Sequence, residues 1–479
     1  SSTYFSDGLA DTLLHMLAQI REIRVAARTS SFQFRDQNTD ITKIAEALNV
    51  GTVLEGSVQK AGNKIRVTAQ LIEADTGYHL WSGNYDRDLD DVFAIQDEIA
   101  NEVVDALRVS LLGDSAAKLA THETDSVEAY TEYLLGINAS NEYTFQSLRT
   151  AEQRFLNAIE LDPNYALAWA RLAQLYLVMS GMGIDDTHAL YERARDAASR
   201  ALAIDEESAT AITVLAALEQ ETGSLDDAEA LFRRALALTP NDAIVKENYA
   251  WLLVDKNERR EAIRVLEEAL VLDPLSTALH DVLSQQHRVL DDFDKAAEYI
   301  EKLKEISPAS PLPWYREAEL EFMRGNWAAS VIASMRAHEL DPDDPEIATL
   351  TGDYLLALEM PDEARRWFDR ATEIDAGHPV SRVTPLTLYR YEQSTAPDGP
   401  ALAKKLIDER IDARQGSRNV VLHTLWIQSL RDDNVDDALD FLSGYFPEYF
   451  DDNGDWSRWD DGTTWHIGAM LFSAGREEH

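Results

Sequence analysis

The strongest constraint on the fold is a short motif that returns at a constant interval. It reads Ala-x-x-Ile/Leu-Asp-Pro at residues 158–163. Related segments end at Glu206, Pro240, Pro274, Pro308, Pro342 and Ala376. The interval is 43 residues once and then 34 residues five times in succession. A constant period of this length predicts one supersecondary unit that is stacked many times.

Each unit is predicted to contain two helices. Leu172, Ala173 and Tyr176 recur at helical spacing in one segment, and Phe232 and Ala235 do so in a later one. Small residues recur where two helices must approach closely. The proline of the motif lacks an amide N–H and is therefore expected to follow the end of each second helix.

This pattern resembles the tetratricopeptide repeat, a helix–turn–helix unit. The resemblance covers residues 125–379, which is about seven repeats, and it implies an all-α superhelical solenoid with a concave groove. The first interval holds about nine extra residues near 179–187, and these predict a lengthened turn. Ala376 also departs from the pattern, because it stands where a terminal proline is expected.

The first 113 residues show a different pattern, typical of an α+β domain. Strands are predicted at 52–60, 64–73 and 78–85, because apolar and polar residues alternate between turn sequences. A short helix is predicted to begin at Thr39 or Asp40. The remaining predicted elements are a helix at 9–20, a strand at 24–28 and a helical stripe of Val92, Ile95, Ile99, Val103 and Leu107.

The chain is accordingly divided into four parts. Residues 1–113 form the α+β domain, 114–124 a linker, 125–379 the repeat array, and 380–479 degenerate helical repeats. Helical patterns in the last part lie at 401–414, 420–431, 435–445 and 464–475, with an acidic aromatic loop at 451–461. The absence of an initiator Met suggests a fragment of a longer protein.

The amino-terminal part resembles the TolB-like domain that accompanies tetratricopeptide arrays in bacterial signalling proteins. The segments that carry the resemblance are Tyr-Phe-Ser-Asp-Gly-Leu at 4–9, Ala-Arg-Thr-Ser-Ser-Phe at 27–32, Val-Leu-Glu-Gly-Ser-Val at 53–58, His-Leu-Trp-Ser at 79–82, Tyr-Asp-Arg-Asp at 85–88 and Phe-Ala-Ile-Gln-Asp-Glu-Ile at 93–99. In such families the two modules often follow a nucleotide-cyclase or winged-helix domain and one transmembrane helix. The resemblance thus implies a periplasmic location, with the cytoplasm as the alternative.

Charge and composition restrict the partners. The chain has 44 Lys and Arg against 86 Asp and Glu, a formal charge of −42, which repels nucleic acid and anionic membranes. A protein or peptide partner that is basic or neutral is favoured. No stretch of eighteen apolar residues predicts membrane insertion. With no cysteine, disulfides, cysteine-ligated metals and thiol nucleophiles are excluded. A homodimer stays an open alternative.

No sequence motif for catalysis or metal binding predicts an active site or a cofactor. His280 and His287 are seven residues apart, a spacing compatible with metal ligation, but core packing is the favoured interpretation. Residues 451–455 resemble a calcium loop, yet the glycine comes too early and no spaced Glu follows. Paired carboxylates at 90–91 and 226–227 precede helical stripes and are interpreted as helix capping.

The predicted site is the groove that the family resemblance implies, which the first helix of each unit lines. In this sequence the positions that correspond to the groove of the family are Gln174, Glu247, Asn248, Trp251, Asp281, Gln285, Arg288, Tyr315, Arg316, Glu319, Phe322 and Asp353. Trp251, Tyr315, Arg316 and Phe322 are the preferred anchors, because aromatic and Arg side chains dominate interface energetics. The lysines of a carboxylate-clamp cochaperone have no counterparts among these positions.

These observations predict a non-catalytic interaction and sensing module that binds a protein or extended peptide, as the extracytoplasmic part of a bacterial signalling protein such as a nucleotide cyclase. Two alternatives stay open. One is a structural scaffold for envelope assembly. The other is an enzyme whose centre lies in the amino-terminal domain or outside this sequence, for which a pocket joining Arg28, Glu55 and Arg66 would be the sign.

Overall fold

The computed structural model describes residues 3–18, 23–35, 39–61, 64–88, 95, 98–103, 105–106, 124–378 and 380–381. Its contacts divide the chain into two units, Ser1–Leu279 and His280–His479, here called unit 1 and unit 2. The predicted boundary at residue 113 and the helical patterns beyond residue 400 lie outside the described residues. So does the acidic loop at 451–461.

A three-stranded antiparallel sheet lies in the amino-terminal part of unit 1. Its strands are β1 (Thr52–Ala61), β2 (Lys64–Glu73) and β3 (His79–Asp88). They pair in the order β1-β2-β3, so the predicted meander is confirmed. Ile65, Val67 and Leu71 are buried, because alternate residues of a strand face the same side of the sheet.

Three helices of the amino-terminal part precede the sheet in the sequence. They are α1 (Thr3–Ala18), α2 (Arg28–Ser31) and α3 (Ile41–Leu48). Asp40 caps α3, since its carboxylate accepts a hydrogen bond from the Thr42 N–H at 2.9 Å. The helix predicted at 9–20 corresponds to α1, which begins at Thr3. Of the predicted stripe, Ile95, Ile99 and Val103 are described, and all three are buried.

The prediction of a strand at 24–28 is wrong. Residues 23–27 have no regular secondary structure, and α2 begins at Arg28. The backbone N–H and C=O groups of this segment form hydrogen bonds with the repeats instead of with a neighbouring strand. The Ala27 N–H donates to the carbonyl of Leu272 at 2.7 Å, and Asn241 Nδ2 donates to the carbonyl of Ile23 at 3.2 Å. Alternation of apolar and polar residues in the sequence could not distinguish a strand in a sheet from an irregular segment that bonds to the repeats.

Between residues 124 and 378 the described chain forms seven consecutive helix pairs. They are α4 (Val127–Ser140) with α5 (Phe145–Leu161), α6 (Ala166–Gly181) with α7 (Thr187–Ile204), α8 (Ala209–Thr222) with α9 (Leu225–Leu238), α10 (Ala243–Asp255) with α11 (Arg259–Leu272), α12 (Thr277–Val289) with α13 (Phe293–Ile306), α14 (Leu312–Met323) with α15 (Trp327–Leu340), and α16 (Pro345–Ala357) with α17 (Pro361–Ile374). The predicted α+β part followed by an array of paired helices is therefore confirmed.

The extra residues of the 43-residue interval are not confined to a turn. Besides the turn between α6 and α7, the helices themselves are longer, since α6 has 16 residues and α7 has 18. The helices of the next pair have 14 residues each. The sequence predicted only the lengthened turn, because it cannot show where added residues continue a helix.

The first position of the repeating motif has two structural roles. At 158, 201, 235, 269, 303, 337 and 371 the side chain is completely buried in every repeat. The carbonyl of the same residue accepts the last hydrogen bond of the second helix, at 2.8 to 3.1 Å, from the residue four positions later. Six of these seven positions hold alanine and the other holds Leu303, so this closely packed site favours a small apolar side chain.

A continuous apolar core in unit 1 joins the amino-terminal part to the first repeats. It runs from Leu13 of α1 through Ile65 of the sheet to Tyr130, Phe155 and Leu218 of the first three helix pairs. The amino-terminal part and the first repeats thus bury their apolar side chains in a shared core. Removal of either part would expose apolar surface of the other.

Gly136 of α4 provides a test of this packing. A Cβ at Gly136 would lie 2.6 Å from Cε1 of Phe155, whereas a Cβ at Gly181 meets nothing within 4 Å. Alanine favours a helix by about 1 kcal/mol over glycine, but the clash should reverse the sign at Gly136 and destabilise by about 1–3 kcal/mol. Urea unfolding of Gly136→Ala and of the control Gly181→Ala measures this. Equal stability of both variants would contradict the packing.

Candidate functional site

Residues 23–35, here called the docked segment, lie against the turns that connect repeats in unit 1. Besides the bonds of Ile23 and Ala27, Gln33 Nε2 donates to the carbonyl of Leu275 at 3.0 Å. The segment is therefore fixed to the turn between α9 and α10 and to the turn between α11 and α12. These contacts join residues more than 200 positions apart in the chain.

Ser30 makes the most specific of these contacts. Its side chain is fully buried, and its hydroxyl donates a hydrogen bond to Oδ1 of Asp273. The same hydroxyl oxygen accepts the Leu275 N–H at 2.8 Å. Asp273 is the aspartate of the repeating motif, so a residue of the repeat pattern here also binds another part of the chain.

The structure places the groove residues predicted for unit 1 on the first helices α6 and α10. Gln174 accepts a hydrogen bond from Arg171 Nη1 at 3.0 Å, and Asn248 donates to the carbonyl of Ile244 within its own helix at 2.8 Å. Trp251 is exposed, as expected of an anchor. Arg171 was missed by the sequence analysis, although it lies one helical turn before Gln174.

Glu247 lies in a more apolar environment than a solvated groove residue. Burial raises the pKa of its carboxyl, and the nearby carboxylate of Asp273 raises it further. The side chain thus faces the motif residue that binds Ser30. A second negative charge at this position disfavours ionisation of Glu247.

A cavity of about 250 Å³ lies between the docked segment and the repeats of unit 1. Arg28 and Arg171 line it together with Asp11 and Asp242. Arg28 Nε is 3.3 Å from Oδ1 of Asp11. Burial lowers the pKa of Arg171, but Tyr133, Asp11 and Asp242 together raise it above its ordinary value. Both signs of charge are present, so the lining as a whole favours neither anions nor cations.

In unit 2 the structure brings five of the predicted residues into one network. Arg316 binds Asp281 through two hydrogen bonds, of 2.6 and 3.1 Å, and it binds Glu319 at 2.9 Å. Gln285 donates to Asp281 at 2.9 Å, and Arg288 lies 3.8 Å from Glu319. The network fixes side chains of neighbouring first helices, because each carboxylate bridges two donors.

Aromatic residues lie beside this network. Phe322 is 38% exposed, and its ring stacks on Tyr354 with 4.9 Å between centroids. The Arg316 guanidinium is 5.4 Å from the ring centroid of Tyr315, whose pKa is raised to about 12 mainly by burial. The charge of Asp353 contributes to a raised pKa of Tyr354, after burial and other neighbours. Tyr354 was not predicted, although it directly follows Asp353.

The two histidines of α12 pack in the core, as predicted. His280 and His287 are buried and both contact the ring of Tyr299. His287 Nδ1 is also 3.1 Å from Asp292. Among the described residues, no group of three His, Asp or Glu side chains is arranged to hold a metal ion.

Other predicted polar positions have structural roles. Asp226 and Asp227 lie in the first turn of α9, where negative charge is favourable, but the capping side chain is that of Ser224, which accepts from the Asp227 N–H at 3.4 Å. Asp226 instead accepts from Lys256 at 2.8 Å. The pair at 90–91 lies outside the described residues. The cavity near Arg28 is lined by neither Glu55 nor Arg66, which are both exposed.

No helix among the described residues has the length and apolar character needed to cross a membrane.

The half-buried carboxyl of Glu247 predicts a pH-dependent effect. Because its pKa in the folded state lies above the ordinary 4.5, the folded protein binds this proton more tightly than the unfolded chain does. Glu247→Gln should therefore raise the free energy of unfolding at a pH of about 7.5, and this gain should vanish below the ordinary pKa. Urea titrations at a pH of about 7.5 and at a pH below the ordinary pKa measure this gain in stability, with the exposed Glu258→Gln as control. A gain independent of pH would contradict the burial.

The ion-pair network predicts a large effect of one substitution. Arg316→Met leaves the partly buried carboxylates of Asp281 and Glu319 without their main partner and should lower stability by about 2–4 kcal/mol. Arg336→Met removes an exposed pair with Glu339 and a contact of 5.9 Å with the Trp314 ring centroid, and it should change stability by less than about 1 kcal/mol. Chemical denaturation of both variants measures the difference. Similar values would show that the network carries little energy.

The chain matches a family model described as tetratricopeptide repeat over residues 117–316. It thus carries a tetratricopeptide repeat array, and such arrays are interaction modules that bind protein partners on extended surfaces.

Two relatives are larger proteins. A proposed adenylate cyclase of Rhizobium meliloti (strain 1021), adenylate cyclase 3, is 37% identical over 174 residues, 36% of this chain and 30% of the relative. The transcriptional regulator HilA of Salmonella typhimurium is 27% identical over 241 residues, 50% of this chain and 43% of HilA. The chain spans less than half the length of either relative.

Solved structures with a similar fold include PilF of Pseudomonas aeruginosa. That likeness has a TM-score of 0.37 and 21% sequence identity, and it covers 45% of this chain and 95% of PilF.

Proposed function

We propose that this chain is a non-catalytic interaction and sensing module that binds a protein or an extended peptide on the first helices and connecting turns of its repeats. The single observation that carries the proposal is the docked segment. Repeats of unit 1 hold a stretch of polypeptide that is irregular at 23–27 and helical from Arg28, through hydrogen bonds to its main chain and a buried hydroxyl contact. A surface that binds one such stretch has the chemistry to bind others.

The same proposal assigns the chain to a larger signalling protein, with a TolB-like amino-terminal part and an extracytoplasmic location. The resemblance of residues 4–9 and 27–32 to TolB-like domains supports this. The names of the two relatives, a cyclase and a transcriptional regulator, agree with a regulatory region attached to different output domains. Binding at the repeats would then alter the orientation or pairing of the attached domain.

In unit 2 the proposed contact surface is centred on Phe322 and Tyr315. Phe322 offers an exposed aromatic ring, and the neighbouring Arg316 network is already fixed by its own ion pairs. A rigid surface loses little conformational entropy on binding, so its contacts contribute more fully to affinity. The net charge of −42 favours a basic or neutral partner over an acidic one.

Phe322→Ala tests this surface against a matched control. Trp327 is similarly exposed but opens the second helix of the same pair, so Trp327→Ala serves as control. An array of basic and neutral 15-residue peptides, with acidic peptides for comparison, identifies binders of the unaltered chain. Phe322→Ala should weaken binding about 10-fold or more, because aromatic anchors typically contribute above 1 kcal/mol.

Trp327→Ala should leave binding of the same peptides unchanged. If both variants bind equally well, or if acidic peptides bind best, the proposed surface in unit 2 is wrong.

A further inference from the structure

The docked segment has a composition opposite to that of the chain as a whole. Residues 23–35 include Arg24, Arg28 and Arg35 and no acidic residue, whereas the chain carries a charge of −42. Arg35 binds Asp7 at 2.6 Å, and Arg28 pairs with Asp11. Electrostatic attraction thus fastens the segment to α1, and hydrogen bonds fasten it to the repeats.

Ser30 lies between two groups whose counterparts bond directly to each other in other repeats. In four other repeats the motif aspartate accepts the N–H two residues later, as Asp162 does from Asn164 and Asp205 does from Glu207, both at 3.0 Å. At Asp273 the corresponding N–H belongs to Leu275. The Ser30 hydroxyl lies between them, because it donates to Asp273 and accepts from Leu275.

A hydroxyl suits this position for a chemical reason. It can donate to a carboxylate and accept from an amide at the same time, which an amide N–H or an ammonium group cannot do. The neighbouring main-chain bonds, from Ala27 to Leu272 and from Asn241 to Ile23, need no particular side chain on the segment. The hydrogen bonds that hold the segment therefore include some that tolerate any side chain on the segment and one that requires a hydroxyl.

From this geometry we infer that the turn face of unit 1, defined as Asn241, Leu272, Asp273 and Leu275, is a recognition site for basic peptides with a Ser or Thr. Residues 23–35 are its resident ligand, and an external partner binds by displacing them. The inference rests on the proposed function, and it names the partner's chemistry at this site. A tethered ligand has an effective concentration of about millimolar, so a free peptide at micromolar concentration competes poorly until the segment is weakened.

The main-chain bond of Ala27 can be removed without changing the backbone. Ala27 has φ −60° and ψ 155°, a conformation that proline adopts, so Ala27→Pro deletes only the N–H that donates to Leu272. Ala27→Val is the matched comparison, because valine is of similar size and keeps the N–H. Ser30→Asp is a second variant, which places a carboxylate against that of Asp273.

The probe is a fluorescent peptide with the sequence of residues 23–35, titrated against the full chain by fluorescence anisotropy. Loss of one hydrogen bond in the resident segment should strengthen binding of the free peptide about fivefold in Ala27→Pro relative to Ala27→Val. Ser30→Asp in the chain should strengthen it further. A peptide carrying Asp in place of the serine of position 30, and a scrambled peptide, should bind at least tenfold more weakly.

Circular dichroism verifies that each variant is folded, and hydrogen exchange gives an independent measurement. The Leu275 N–H should exchange faster in Ser30→Ala than in the unaltered chain, because its acceptor is removed. Equal peptide affinity of Ala27→Pro and Ala27→Val, equal binding of the scrambled peptide, or unchanged exchange at Leu275 would each overturn the inference. Phe322→Ala reports on unit 2 separately, so failure here is distinguishable from failure of the proposed function.

Discussion

The close approach of helices at the first position of the repeating motif is the interaction on which the rest of the structure depends. That position is completely buried in all seven pairs, from Ala158 to Ala371. Its carbonyl also accepts the last hydrogen bond of the second helix, so one residue determines both the packing distance and the end of the helix. Both requirements recur in every helix pair, at an interval of 43 residues once and of 34 residues five times, because each pair is built in the same way.

In unit 1 the turns between helix pairs have a second role, because they bind residues 23–35. Leu272 ends a helix and Asp273 belongs to the motif, yet the Leu272 carbonyl accepts from the Ala27 N–H and the Asp273 carboxylate accepts from the Ser30 hydroxyl. A repeat protein has such groups at the end of every second helix, where the last carbonyls lack partners within the helix. The array thus offers polar contacts along its turns in addition to the side chains of its first helices.

Much of the fold could be predicted from the sequence, and the site only in part. Three strands, the capped helix at Asp40 and the paired helices follow from local spacing, which a single chain segment contains completely. In unit 2 the prediction selected Asp281, Arg316 and Glu319, and the structure joins them in one ion-pair network. In unit 1 Gln174 and Glu247 were predicted as groove residues that contact a partner. In the structure Gln174 bonds to Arg171 beside a cavity, and Glu247 is half-buried near Asp273.

The sequence alone determined the repeating unit, its register and the class of both parts, because periodicity depends only on residues close together in the chain. Only the tertiary structure decided that residues 24–28 are not a strand and that Ser30 binds a turn 243 residues away. A hydroxyl and a carboxylate leave no local pattern when they meet across such a separation, since each residue is also an ordinary member of its own segment. Their contact exists only once the shared core of unit 1 has brought the two segments together.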